Sequence, residues 1–187
     1  MDTENVQTEV QQAVAEQVEG HKSFKDVIKD LIAGGAKRYN GLKIKNVKVS
    51  EEENYTRVTL VVHPPIPGMV YDESIDQWVP GKTNNIFTST YAIAGMLKED
   101  DEKSWLADTL VDNTRAINLI MNGGTIDIIQ QKVEAGVPYK NPFSTREDAP
   151  ETTFANDIII NYVVKFEYGK TGEKFADKLA LGLMGIL

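Results

Sequence analysis

Between Asn40 and Val62 the chain reads NGLKIKNVKVSEEENYTRVTLVV, two apolar-alternating halves around an acidic connector, Glu51-Glu52-Glu53-Asn54. Side chains alternate along a strand, so Val58, Leu60 and Val62 fall on one face and Arg57, Thr59 and Val61 on the other. That pattern is a β-hairpin with one buried and one wettable side. In the first half Leu42 and Ile44 share one parity, whereas Val47 and Val49 share the other. A period-two strand must therefore slip by one residue near Asn46, and a β-bulge supplies the slip while bending the strand as a small barrel requires. The wettable side carries Lys43, Lys45, Lys48 and Arg57.

Those cations stand out because the 187-residue chain has a net charge of -8, while residues 37–70 hold six basic against three acidic side chains. A charge of that sign argues against a simple electrostatic nucleic-acid binder, and its uneven distribution softens the argument. Two readings compete for the lysines: a solvated face that discourages edge-to-edge pairing, or a surface for an anionic ligand. The length and a 41% hydrophobic content suit one domain with a helical appendage. The absence of cysteine excludes disulfides, thiolate catalysis and Cys-ligated zinc. MDTENVQTEV lacks the basic-then-apolar order of a secretory signal, and no run of about 18 apolar residues exists to span a bilayer, so a cytoplasmic protein without membrane contact is expected.

Residues 1–36 read as an N-terminal helical extension. Val6, Val10, Val14 and Val18 form a stripe too thin for a core helix, one that docks weakly, pairs with another subunit or frays. A second helix has Ser23 as N-cap, Asp26 three residues on, an apolar face of Phe24, Val27, Ile28, Leu31 and Ile32 expected to be buried, and Gly34-Gly35 as its stop. His21 and His63 are lone imidazoles with no second ligand spaced for a metal.

Residues 37–187 form the main domain. His63-Pro64-Pro65-Ile66-Pro67-Gly68 predicts a turn or rigid corner that ends the ladder. Met69-Val70-Tyr71 and Gln77-Trp78-Val79 then form a short hairpin around an acidic loop. Tyr71 and Trp78 either pack across it, as cross-strand aromatic pairs commonly do, or stack on nucleobases. Ile86–Tyr91 is a strand running into a helical insertion over about 92–122, with Gly123-Gly124 as its C-cap. Glu99–Glu102 within it reads as a solvated loop, since it lacks the glycine and alternating spacing of a calcium loop. Thr125–Val133 is a strand, and residues 144–156 an exposed loop. Asp157–Tyr168 is the strongest strand, with Ile158, Ile160, Tyr162, Val164, Phe166 and Tyr168 on one face. Phe175, Leu179, Leu183 and Met184 mark a C-terminal helix, about 172–185, expected to pack on the sheet. The fold class is α+β: an OB-like, mainly antiparallel β-barrel or curved sheet with a helical insertion, an N-terminal helical extension and a C-terminal helix.

No chemistry announces itself. GxxxxGK[ST], a strand-anchored GxGxxG, G-x-S-x-G and HExxH are all absent, and two isolated histidines suggest no triad. A binding protein without catalytic residues, metal or cofactor is expected.

The order of a bulged basic hairpin, a turn-rich arm, a strand entering a helical insertion, the segment GGTIDIIQQKV followed by VPYKNPFS, and a long closing strand resembles small OB-type single-stranded-DNA-binding proteins of tailed bacteriophages. Within these it is similar to those of crAss-like gut phages, over residues 37–168. The resemblance implies an OB barrel that stacks bases on aromatic platforms and tracks the backbone with basic residues, in DNA replication or recombination alongside other replication proteins. Many such proteins end in an acidic tail, whereas this chain ends in the apolar LGLMGIL. Lys43, Lys45, Lys48, Arg57, Lys132 and Lys140 are the candidate phosphate contacts. Tyr55, Trp78 and Tyr139 are the candidate stacking residues, with Tyr39 a weaker one. The alternative is a phage virion structural or assembly protein that forms homo-oligomers through the N-terminal helix or the apolar C-terminal segment. A small-molecule enzyme is a third reading, for which the sequence shows no convergent polar groups.

Overall fold

The structure, a computed structural model, describes residues 21–111 and 113–183. The valine stripe of residues 1–20 and the last four residues of the chain lie outside these. Helix α1 (Phe24–Ala33) begins as expected: Ser23 Oγ accepts from Asp26 N at 3.2 Å, and Gly35, at φ 97°, follows its end. Its apolar face is buried less than the sequence suggested. Val27 alone is fully buried, Phe24, Ile28 and Leu31 are partly covered, and Ile32 is exposed.

Three long strands follow, β1 (Lys37–Glu51), β2 (Thr56–Asp72) and β3 (Gln77–Ser89). The helical insertion comprises α2 (Thr90–Glu99), a 3-10 turn at Ser104–Leu106, α3 (Ala107–Val111) and α4 (Thr114–Met121). Strand β4 (Thr125–Val133), a two-residue pair β5 (Pro138–Tyr139) and β6 (Thr152–Thr153), β7 (Ile158–Glu167) and α5 (Lys170–Leu183) complete it. The main sheet is antiparallel in the order β3-β2-β1-β4-β7.

Strand β1 is shared between two partners: Lys37–Lys43 pairs with β4 and Lys43–Glu51 with β2. The bulge expected near Asn46 is present, since the register with β2 shifts between Ile44 and Asn46. A second shift lies between Tyr39 and Leu42, where Gly41 takes φ 64°, a conformation that costs glycine little.

The proline run does not end the ladder. Strand β2 continues through it, still pairing with β1 at Val62 and His63, and it loses only its register with β3 between Val61 and Ile66. Proline has no N–H to give, so the ladder gap falls where Pro64 and Pro65 sit. Beyond it, Ile66–Asp72 and Gln77–Thr83 form one continuous arm rather than a separate short hairpin. Strand β3 stops two residues before Tyr91, because Ser89 Oγ accepts from Ala92 N at 3.1 Å and caps α2.

The last strand also departs from period two. Asp127 pairs with Lys165 but Ile128 with Val163, leaving Val164 as the extra residue of a bulge. Phe166 therefore enters the core, while Tyr162 packs on Phe143 with ring centroids 5.1 Å apart. Helix α5 packs against α4 rather than the sheet. A Cβ on Gly172 would lie 2.3 Å from Ile120 O, so only glycine permits that approach.

Strands and helices α2–α4 enclose one core that includes Ile44, Leu60, Ile86, Ile93, Ile117 and Ile126. The run Glu99–Glu102 is exposed apart from the half-buried Asp100, as a solvated loop would be, but the residue that follows it is not. Lys103, 8% exposed, donates from Nζ to Phe166 O at 2.7 Å and to Asp100 Oδ2 at 3.1 Å, and it lies 5.4 Å from the Tyr168 ring centre. It ties the helical insertion to the end of β7. Burial, with the charges of Asp100, Glu167 and Asp177 adding to it, pushes the Tyr168 hydroxyl up to about 12. Lys103→Met removes the donor to Phe166 O and the partner of Asp100, and should lower stability by about 2 kcal/mol. A fall in the urea midpoint at constant m-value checks this.

The two faces of the sheet differ. The core face is covered by the helical insertion. The other is covered only across β4 and β7, where α1 packs with Phe24 against Phe143 at 5.1 Å and Phe143 in turn against Tyr162. Across β1–β3 it is bare. Among the described residues no helix is long and apolar enough to cross a membrane.

Candidate nucleic-acid interface

Cross-strand pairing fixes what the bare face displays, because directly opposed residues share a side of the sheet. Val47, Leu60 and Ile86 form one row on the core side. The neighbouring rows, Lys48–Thr59–Phe87 and Ser50–Arg57–Ser89, therefore point away from the core. Strands about 4.8 Å apart put Lys48 and Phe87 about 10 Å from one another across the row. Lys43, opposite His63, continues the same side of β1, and Lys45 is the exposed extra residue of the bulge between Ile44 and Asn46. None of Lys43, Lys45 and Lys48 forms a salt bridge among the described residues.

Phe87 is 50% exposed, an unusual position for a phenyl ring on a strand. The Arg57 guanidinium carbon lies 6.0 Å from its ring centre. Arg57 also donates from Nη2 to Tyr55 Oη at 3.2 Å and faces Glu52 Oε1 from Nε at 3.4 Å. Tyr55, in the β1–β2 turn, is thereby drawn to the rim of the same face. The fold brings together five of the nine sequence candidates, Lys43, Lys45, Lys48, Tyr55 and Arg57. To these it adds Phe87, which the sequence did not single out.

The other four stand apart. Trp78 is at the end of the arm, edge-on to Tyr71 at 5.6 Å, which is the cross-strand packing weighed for it. It remains 56% exposed, and the adjoining turn carries Asp72, Glu73 and Asp76, charges that repel phosphate. Lys132 pairs with Asp157 Oδ2 at 3.0 Å, and that contact raises its pKa. Lys140 Nζ donates to Glu147 O at 3.2 Å. Tyr139 is half-buried, with its hydroxyl 2.8 Å from that of Tyr162, which donates to Gln131 Oε1 at 2.7 Å. These three fasten the β4–β7 connection instead of facing the lysines. Tyr39 packs against the core.

No known family, curated protein or solved structure matches this chain. Among the described residues no group of three His, Asp or Glu side chains is placed to hold a metal ion. The bare face offers fixed positive charge and the exposed ring of Phe87, with Tyr55 exposed at its rim, a combination suited to recognising a flexible polyanion that has planar groups.

Proposed function

We propose that the bare β1–β3 face binds single-stranded DNA without strong sequence preference. Lys43, Lys45, Lys48 and Arg57 contact successive phosphates and Phe87 stacks a base. The observation that carries this reading is the gathering of four cations and a half-exposed ring on one face of a protein whose net charge is -8. A single strand suits such a face because its bases are free to stack, an interaction worth about 1–3 kcal/mol per base and indifferent to base identity.

The strand order supports an OB-type reading of the fold. Strand β1 pairs with both β2 and β4, the helical insertion connects β3 to β4, and the edge strands β3 and β7 approach within 8 Å between Cα atoms without pairing. In OB folds the face of the second and third strands, with the loop between the first and second, takes up oligonucleotides. Arg57, Phe87 and Tyr55 occupy those places here. The resemblance to phage proteins suggests a role in replication or recombination that involves no catalysis.

Fluorescence anisotropy of a labelled oligo-dT tests the proposal. Binding should favour the single strand over a duplex and weaken with salt, log K falling by about 2 to 3 per decade for three or four phosphates at about 0.7 each. No binding at high micromolar protein and low salt would overturn it.

A further inference from the structure

We propose that Glu52 is a built-in competitor for the phosphate that Arg57 binds, a step that rests on the single-strand reading and adds a residue setting its affinity and salt response. Glu52 lies in the β1–β2 turn and is half-buried, while its neighbours Glu51 and Glu53 are exposed. Its Oε1 stands 3.4 Å from Arg57 Nε, and Ser50 Oγ donates to the same carboxylate oxygen at 3.2 Å. Glu52 N donates to Tyr55 O at 2.9 Å, which fixes the turn that carries the carboxylate. Arg57 is held on its other side by the Tyr55 hydroxyl. The guanidinium is thus parked beside Phe87 with an internal anion where a nucleic-acid phosphate would sit.

Such a contact has a calculable signature. A lysine that meets a phosphate neutralises one charge and releases a condensed cation from the strand. An arginine whose carboxylate partner must be displaced, yet remains nearby, neutralises almost nothing net. The wild-type face should then behave as three cations, with a salt slope of about -2, although four contact the strand. Removing the Glu52 charge should bring the fourth into play and steepen the slope to about -3. The affinity gain is modest, a factor of roughly 1.5 to 5, because an ion pair exposed to solvent is worth little.

The test is a double-mutant cycle with labelled oligo-dT across a salt series, on Glu52→Gln, Arg57→Gln and the pair, with Glu53→Gln as control. Glu53 has the same charge in the same turn and neither an ion pair nor a side-chain hydrogen bond with Arg57 among the described residues. The expected result is tighter binding and a steeper slope for Glu52→Gln, both absent when Arg57 is already Gln, with little change for Glu53→Gln. An equal gain from Glu52→Gln in the two Arg57 backgrounds, or equal gains from Glu52→Gln and Glu53→Gln, would reduce Glu52 to general repulsion and overturn the proposal. Binding that is intact but indifferent to Glu52 would do the same and leave the single-strand reading standing. Failure of the wild type to bind at all would remove both. Urea midpoints for the four variants separate affinity changes from loss of fold.

Discussion

Replacing Lys43, Lys45 and Lys48 together by Gln should abolish most single-strand binding and flatten its salt dependence. At about 1 kcal/mol for each exposed contact with phosphate, the triple variant loses about 3 kcal/mol, roughly a hundredfold in affinity at low salt. The slope of log K against log salt should fall by about 2, since three phosphates are no longer neutralised. All three side chains are exposed and without salt bridges among the described residues, so the unfolding free energy from urea titration should change by less than about 0.5 kcal/mol. Anisotropy titrations at four salt concentrations decide the matter. An unchanged slope would mean that the strand, if bound, lies elsewhere. The same substitution at Lys132 and Lys140 serves as a comparison and should change little, because both are engaged on the other half of the sheet.

Phe87→Ala should have a comparable cost with a different signature. Loss of one stacked base removes about 1–3 kcal/mol, a roughly five- to 150-fold drop in affinity. Stacking releases no counterion, so the salt slope should stay at its wild-type value. Phe87→Trp, with a larger ring, should hold or tighten binding. A Phe87→Ala variant that binds as the wild type does would show that the ring only covers Thr59 and Arg57. The pair of experiments separates charge from stacking, because each variant moves one observable that the other leaves alone.

What the sequence revealed and concealed follows from where bulges fall. The slip in β1 was legible because Leu42, Ile44, Val47 and Val49 write both parities into one short segment. Phe87 was not. Counted outward from the arm's turn, where Asp72 opposes Gln77, an unbroken ladder would set Phe87 opposite Val62 on the buried side. The gap between Val61 and Ile66 shifts the register by three residues and sets it opposite Thr59 instead. Prolines signalled an interruption, but an interruption reads equally as a corner or as a bulge within a longer strand. In β7 every residue from Ile158 to Val164 except Asn161 is apolar or aromatic, so no polar position marked the extra Val164. Lys103 was hidden for a related reason: it follows four acidic residues, and composition alone makes that stretch look wet. Of the nine candidate contacts, the five grouped by the fold come from one hairpin, where local pattern sets three-dimensional proximity. The other four depended on long-range placement.

The divided loyalty of β1 has a consequence for how the chain reaches this structure. Its C-terminal half pairs with β2 across a turn of four residues, so Glu51 meets Thr56 almost at once. Its N-terminal half waits for β4, and Tyr39 opposes Ile128 only after the arm and all the helices between have been traversed. Pairings between distant residues slow folding, because the loop entropy must be surrendered before the contact forms. Strands β1 to β3 therefore have the means to assemble as an early unit. During synthesis the Lys37–Leu42 edge would stand unpaired, guarded by the charges of Lys37 and Arg38, until Thr125–Gln130 left the ribosome to cover it.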